Sequence, residues 1–141
     1  MSNQVYGELA ERVEALSGPD RGVDVAIAVA TDWRWPGWEE GEPTAAGQAA
    51  KHGIAWLIDR AEDGMASRWR GIPRYTASLD AAMTLVPDGL MWAMDSWSRS
   101  QWSAGIWRHQ KGWLIRSDVD HQFRTPTLAL VAASLRARGE E

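Results

Sequence analysis

The residues with the most chemical potential sit together at Ser117-Asp118-Val119-Asp120-His121. In an extended run Asp118 and Asp120 point the same way. With His121, or with His109, they can hold a divalent ion or act as an acid–base pair. A metal site needs three or more converging ligands, however, and two carboxylates beside a turn are commonly only solvated. No Gly-x-Ser-x-Gly elbow surrounds a serine. Neither a phosphate loop nor a dinucleotide fingerprint is present. The absence of cysteine removes disulfides, thiolate metal sites and a Cys nucleophile. The expectation is a protein without cofactor or metal that is not an enzyme, with a small metal-dependent enzyme at Asp118, Asp120 and His121 as an alternative.

Tryptophan is the compositional oddity: ten, against two Tyr and one Phe. Three lie in a stretch that breaks every periodic pattern, residues 31–48, which Pro36, Gly37, Gly41 and Pro43 punctuate as a loop. Loops lie on the surface and often carry function. Trp33, Trp35 and Trp38, flanked by Glu39, Glu40 and Glu42, therefore form either a lid tucked over the core or an aromatic recognition loop with an acidic rim. A recognition loop would lose binding but keep its melting behaviour when all three Trp become Ala; a lid would unfold. A second cluster, Arg68, Trp69, Arg70 and Arg74, suits an anion. Trp rings stack bases and arginines hold phosphates, so a single-stranded nucleic-acid binder is the alternative function. Such arginines also pair with nearby acids, and this chain has acids to spare.

The charge balance weighs against nucleic acid. The net charge is −4, which disfavours a general binder of polyanions. The charge is uneven: residues 1–66 hold 12 acids and 5 bases, residues 67–141 hold 7 acids and 10 bases. An acidic protein can instead occupy a basic groove on another protein, where aromatic anchors and acidic rims are what the interface uses. Length and composition, 141 residues with 45% hydrophobic, predict a single domain over 1–141. The N-terminus has no basic n-region followed by an apolar stretch, and no apolar run approaches about 18 residues. The expected location is cytoplasmic, with no membrane partner.

These residues need a scaffold, and its centre is residues 89–119. Three runs rich in Trp, Ile, Leu and Val are separated by short polar breaks, which predicts a three-stranded antiparallel meander. With Ser98–Gln101 as the first loop, Trp97 faces Trp102 and Trp92 faces Trp107. With Gln110 and Lys111 as the second turn, Trp107 faces Leu114 and Ile106 faces Ile115. One face then carries Leu90, Trp92, Met94, Trp107 and Leu114. The other carries Met91, Ala93, Trp97, Trp102, Ile106, Trp113 and Ile115. Both faces are apolar, so both want a cover. The expected fold is α/β (α+β), a three-layer α/β/α sandwich with four to five helices. The alternative is a two-layer fold whose open Trp-bearing face binds a partner or a second copy, making a homodimer.

The helices follow from stripes and caps. Residues 3–17 carry Val5, Leu9, Val13 and Leu16 on one face. Pro19 and Asp20 start a second helix, striped by Val23, Ala26, Ile27 and Ala30, and the two are expected to form an αα-hairpin. Residues 44–62 predict a further helix capped by Thr44, with Gly47 and Gly53 against it. Ser78 caps a short helix that Pro87 stops. Thr125-Pro126 starts the last one, with Leu128, Val131, Ala132 and Leu135 inward and Arg136 and Arg138 at its negative end.

Three of these pieces look familiar together. They are Leu-Ser-Gly-Pro-Asp-Arg at 16–21 leading into Ala-Ile-Ala at 26–28, Tyr-Thr-Ala-Ser-Leu-Asp-Ala-Ala-Met-Thr-Leu-Val-Pro at 75–87, and Thr-Pro-Thr-Leu-Ala-Leu-Val-Ala-Ala-Ser-Leu-Arg-Ala-Arg at 125–138. They resemble the small phage and prophage proteins grouped as the phage ABA sandwich domain family. The Tyr-Thr-Ala-Ser-Leu-Asp block is the most specific part, and residues 31–71 do not match and read as a Trp-rich insertion. The resemblance implies helix–sheet–helix layering and a phage-derived origin, with no catalytic residues. The function it implies is a non-enzymatic accessory protein that binds a protein partner in the host cytoplasm. Its most concrete version is an inhibitor of a host defence complex, of the anti-CRISPR kind.

Overall fold

A computed structural model describes residues 2–63, 67–108 and 123–140. In chain order the elements are α1 (Ser2–Glu14), α2 (Arg21–Ala30), α3 (Ala45–His52), α4 (Ile54–Asp63), a 3-10 turn (Arg68–Gly71), α5 (Leu79–Met83), β1 (Leu90–Ser98), β2 (Gln101–Arg108) and α6 (Pro126–Glu140). Helices and an antiparallel sheet in one chain fit the α+β class. The chain divides into two compact units, Met1–Asp20 with Tyr75–Glu141, and Arg21–Arg74. The expected insertion, 31–71, lies inside the second. The helices expected to pair as an αα-hairpin, α1 and α2, fall in different units.

The first unit is organised on α6. Its sequence is apolar on every side, and Thr127 to Leu135 and Ala137 are all buried. A helix of that kind has to be enclosed. α1 packs along it through a face bearing Leu9, Ala10 and Val13, and α5 and the sheet also lie against it. The predicted inward stripe of Leu128, Val131, Ala132 and Leu135 is therefore only part of what α6 buries. Its N-terminus is capped as expected, with the Leu128 N–H donating to Thr125 Oγ1 at 3.1 Å. At its other end Arg136 grips Glu14 of α1 with two donors, at 2.9 and 2.7 Å. Arg138 Nε donates to the Leu85 carbonyl at 2.8 Å.

β1 and β2 form the predicted hairpin, but the register is corrected. Ser98 pairs with Gln101, as a loop centred on Arg99 and Ser100 requires, and then Ser96 pairs with Trp102. Trp97 is an extra residue, a bulge that slips every later pair by one place. Trp92 therefore faces Ile106, not Trp107, and Trp107 faces Met91. A one-residue slip exchanges faces. Ile106 joins Leu90, Trp92, Met94 and Ala104 on one side; within this set Ala104 and Ile106 are buried. Met91, 45% exposed, lies on the other side, and the bulged Trp97 is 76% exposed. Beside β2, Trp102 exchanges two backbone hydrogen bonds with Phe123, which is buried. The predicted third strand, with Trp113, Leu114 and Ile115, lies outside the described residues.

Two helix boundaries also differ from expectation. α2 begins at Arg21, so Pro19 and Asp20 precede it instead of starting it. Residues 44–62 form two helices, not one, because Gly53 takes φ 89° and ψ 153° between α3 and α4. That conformation is open essentially to glycine alone. The split raises the helix number to six among the described residues, above the four to five expected. Among the described residues no helix is long and apolar enough to cross a membrane.

Candidate functional site

The Trp-bearing loop is specified residue by residue. Beyond the end of α2, Asp32 takes φ 51°, in the left-handed region. The Trp33 N–H donates back to the Ala28 carbonyl at 2.8 Å and the Asp32 N–H to the Val29 carbonyl at 3.2 Å. This is the Schellman pattern of helix termination. Asx residues tolerate that conformation better than most. Two turns follow in succession. In Trp35-Pro36-Gly37-Trp38 the Trp38 N–H donates to the Trp35 carbonyl at 3.0 Å, with Gly37 at φ 87°. In Glu39-Glu40-Gly41-Glu42 the Glu42 N–H donates to the Glu39 carbonyl at 3.0 Å, with Gly41 at φ 92°. Glycine at positive φ in the third place is the mark of a type II turn, and Pro36 supplies the favoured second residue of the first. Thr44 then caps α3, accepting from the Gly47 N–H at 3.1 Å.

Side chains tie these turns together. The Trp38 indole N–H is shared between the carbonyls of Glu42 and Pro43, each at 3.1 Å. Glu42 Oε1 accepts from the Glu39 N–H at 2.9 Å. The Trp33 ring lies beside Gly71, where a Cβ would stand 3.8 Å from its Cη2. All three loop tryptophans are half-buried. They are neither a fully tucked lid nor free anchors. Replacing all three should therefore cost stability as well as any binding, because part of each ring is packed.

The two clusters singled out as alternatives meet in space. Arg68 places its guanidinium carbon 4.1 Å from the centre of the Trp35 ring and its Nη1 3.4 Å from Glu42 Oε2. Trp69, which is buried, meets Trp35 edge to face with ring centres 5.5 Å apart. Arg34 repeats the Arg68 arrangement, with its guanidinium carbon 4.0 Å from the Trp38 ring centre and Nη2 3.4 Å from Asp32 Oδ2. Each guanidinium thus lies on an indole and beside a carboxylate of the loop. Such stacks on partly exposed rings are weak but directional. Glu39 and Glu40 are exposed and form no ion pair among the described residues. Arg70 and Arg74 are also exposed.

A residue that sequence reasoning passed over holds the turn in place. Arg21 is only 8% exposed in its side chain. Its Nη2 donates to the Arg70 carbonyl and its Nη1 to the Pro73 carbonyl, both at 3.2 Å, and Nη1 stands 3.4 Å from Asp24 Oδ2. Its Nε is buried and has no hydrogen-bond partner among the described residues. Burial pulls the Arg21 pKa below the usual arginine value, and the neighbouring Asp24 carboxylate works in the opposite direction. Arginine at the first position of a helix carries no local signal of such a contact.

A further stack lies on α3 and α4. His52 lies on Trp56 at 4.3 Å between ring centres, and the Arg60 guanidinium stands 5.2 Å from the same ring. The metal candidates Asp118, Asp120 and His121 lie outside the described residues, and among the described residues no group of three or more His, Asp or Glu can hold a metal. Compared with protein-family models, with curated proteins and with solved structures, the chain finds no match.

Proposed function

We propose that this protein is a non-enzymatic binding protein that docks a protein partner through the loop of Trp33, Trp35 and Trp38 together with the turn at Arg68. The observation that carries the reading is the pre-set aromatic surface: half-buried indoles whose positions are fixed by two successive turns, by the Trp38 indole hydrogen bonds and by the edge-to-face contact of Trp35 with Trp69. An interface whose anchors are ordered beforehand loses less entropy on binding. Trp and Arg are also the residues that dominate binding hot spots. The phage-like resemblance makes a host-directed inhibitor of a defence complex the most concrete version.

The nucleic-acid alternative uses Arg68, Trp69, Arg70 and Arg74. Against it stands the burial of Trp69, which removes one stacking ring. The finer fold expectation, a three-stranded meander with helical cover on both faces, requires a strand within residues 109–119 and a cover over Met91. A crystal structure tests it.

The functional test is affinity capture from a bacterial lysate on wild-type bait, on Trp38→Ala bait and on Trp97→Ser bait, read by quantitative mass spectrometry. A protein retained by wild type and Trp97→Ser but lost on Trp38→Ala supports the reading. Equal retention on all three refutes it. A low-salt titration with oligothymidylate that saturates and depends on Arg70 and Arg74 would favour the alternative.

A further inference from the structure

Two guanidinium groups, from Arg34 and Arg68, occupy the same kind of seat: an indole ring at 4.0 or 4.1 Å and a loop carboxylate at 3.4 Å. Arg68 reaches its seat from a segment 26 residues away from Glu42. Both arginine side chains remain 47% exposed, and exposed pairs of this length hold weakly. A competing guanidinium can therefore take either seat at little cost. Residues 31–44 hold four acids, Asp32, Glu39, Glu40 and Glu42, against the single base Arg34. Two of those acids, Glu39 and Glu40, stand exposed next to Trp38 and have no ion pair among the described residues.

From these observations we infer that the partner presents an arginine-bearing basic segment, whose guanidinium groups displace Arg68 and Arg34 from Trp35 and Trp38 while Glu39 and Glu40 meet its remaining charge. Arginine is favoured over lysine because a planar guanidinium stacks on an indole and bonds a carboxylate side by side, and an ammonium does not. The chain's own Arg68 is then an internal competitor. This inference rests on the proposed use of the loop as the contact surface.

The test is calorimetric titration of the full chain at low ionic strength with an alternating arginine–glycine peptide, its lysine counterpart and its glutamate counterpart. Wild type should bind the arginine peptide at least about fivefold tighter than the lysine peptide and should not bind the glutamate peptide. Arg68→Gln should tighten the arginine peptide by about fivefold, the worth of the exposed pair it removes. Glu39→Gln with Glu40→Gln should weaken it by about tenfold. Equal affinity for the arginine and lysine peptides in wild type, a comparison that needs no variant, overturns the inference. So does an Arg68→Gln chain that binds the arginine peptide no better. If lysate capture depends on Trp38 while the arginine peptide fails to bind, only this partner chemistry falls. If capture survives Trp38→Ala, the loop itself is not the site.

Discussion

Arg68 lies over Trp35, 4.1 Å from guanidinium carbon to ring centre, and so joins the Trp loop to the Arg68–Gly71 turn. The two rings and the cation are unequal partners in stability. Trp35 also meets the buried Trp69, whereas Arg68 is half exposed. Arg68→Ala should cost less than about 1 kcal/mol. Trp35→Ala should cost about 2 kcal/mol, since it loses an edge-to-face pair and buried area together. Urea denaturation of both variants checks the ordering.

Arg21 should matter more than its position suggests. Arg21→Met takes one cationic partner from the buried Asp24 carboxylate and one donor each from the Arg70 and Pro73 carbonyls. Breaking a pair of this burial costs about 3 kcal/mol, and adding Asp24→Asn should recover part of the loss. Because burial lowers the folded pKa of Arg21, holding it charged costs stability at every pH below that value. The cost is relieved only as pH rises through the lowered pKa, in alkali. Stability should therefore not vary through this group across the neutral range, which urea titrations at several pH values would show.

Gly53 marks a break that no other residue makes cheaply. Gly53→Ala, at φ 89° and ψ 153°, should destabilise the chain by about 2 kcal/mol. A Cβ there meets nothing within 4 Å, so the loss is backbone strain and not a clash. Gly47→Ala is a useful contrast, because Gly47 has an ordinary helical backbone but its Cβ would press Thr44 Oγ1 at 3.3 Å.

Ser134 points the other way. Its hydroxyl is fully buried in α6 and has no hydrogen-bond partner among the described residues. Ser134→Ala removes an unsatisfied polar atom and improves helix propensity, so it should raise stability by up to about 1 kcal/mol. Thermal unfolding of the single variant checks the sign.

What the sequence made legible was local. The caps at Thr44, Ser78 and Thr125 stand where the hydroxyl and the following helical spacing place them. The hairpin was legible too, but not its register. A bulge at Trp97 is one residue of backbone geometry, and no side-chain pattern announces it. The burial of α6 exceeds its predicted stripe because three neighbours, α1, α5 and the sheet, enclose it. The merging of the two candidate clusters was out of reach for a different reason. Glu42 and Arg68 are joined only by the packing of the second unit, as are Trp35 and Trp69. Arg21 was missed because its partners are backbone carbonyls far along the chain, which have no sequence signature.

The capture ratio between wild-type and Trp38→Ala baits of matched circular dichroism decides whether a protein partner seats on Trp38 and its neighbours. A specific protein should fall by about thirtyfold or more on the variant, the loss expected when a binding hot spot is removed. Recovery of the same proteins in the same amounts on both baits would contradict it.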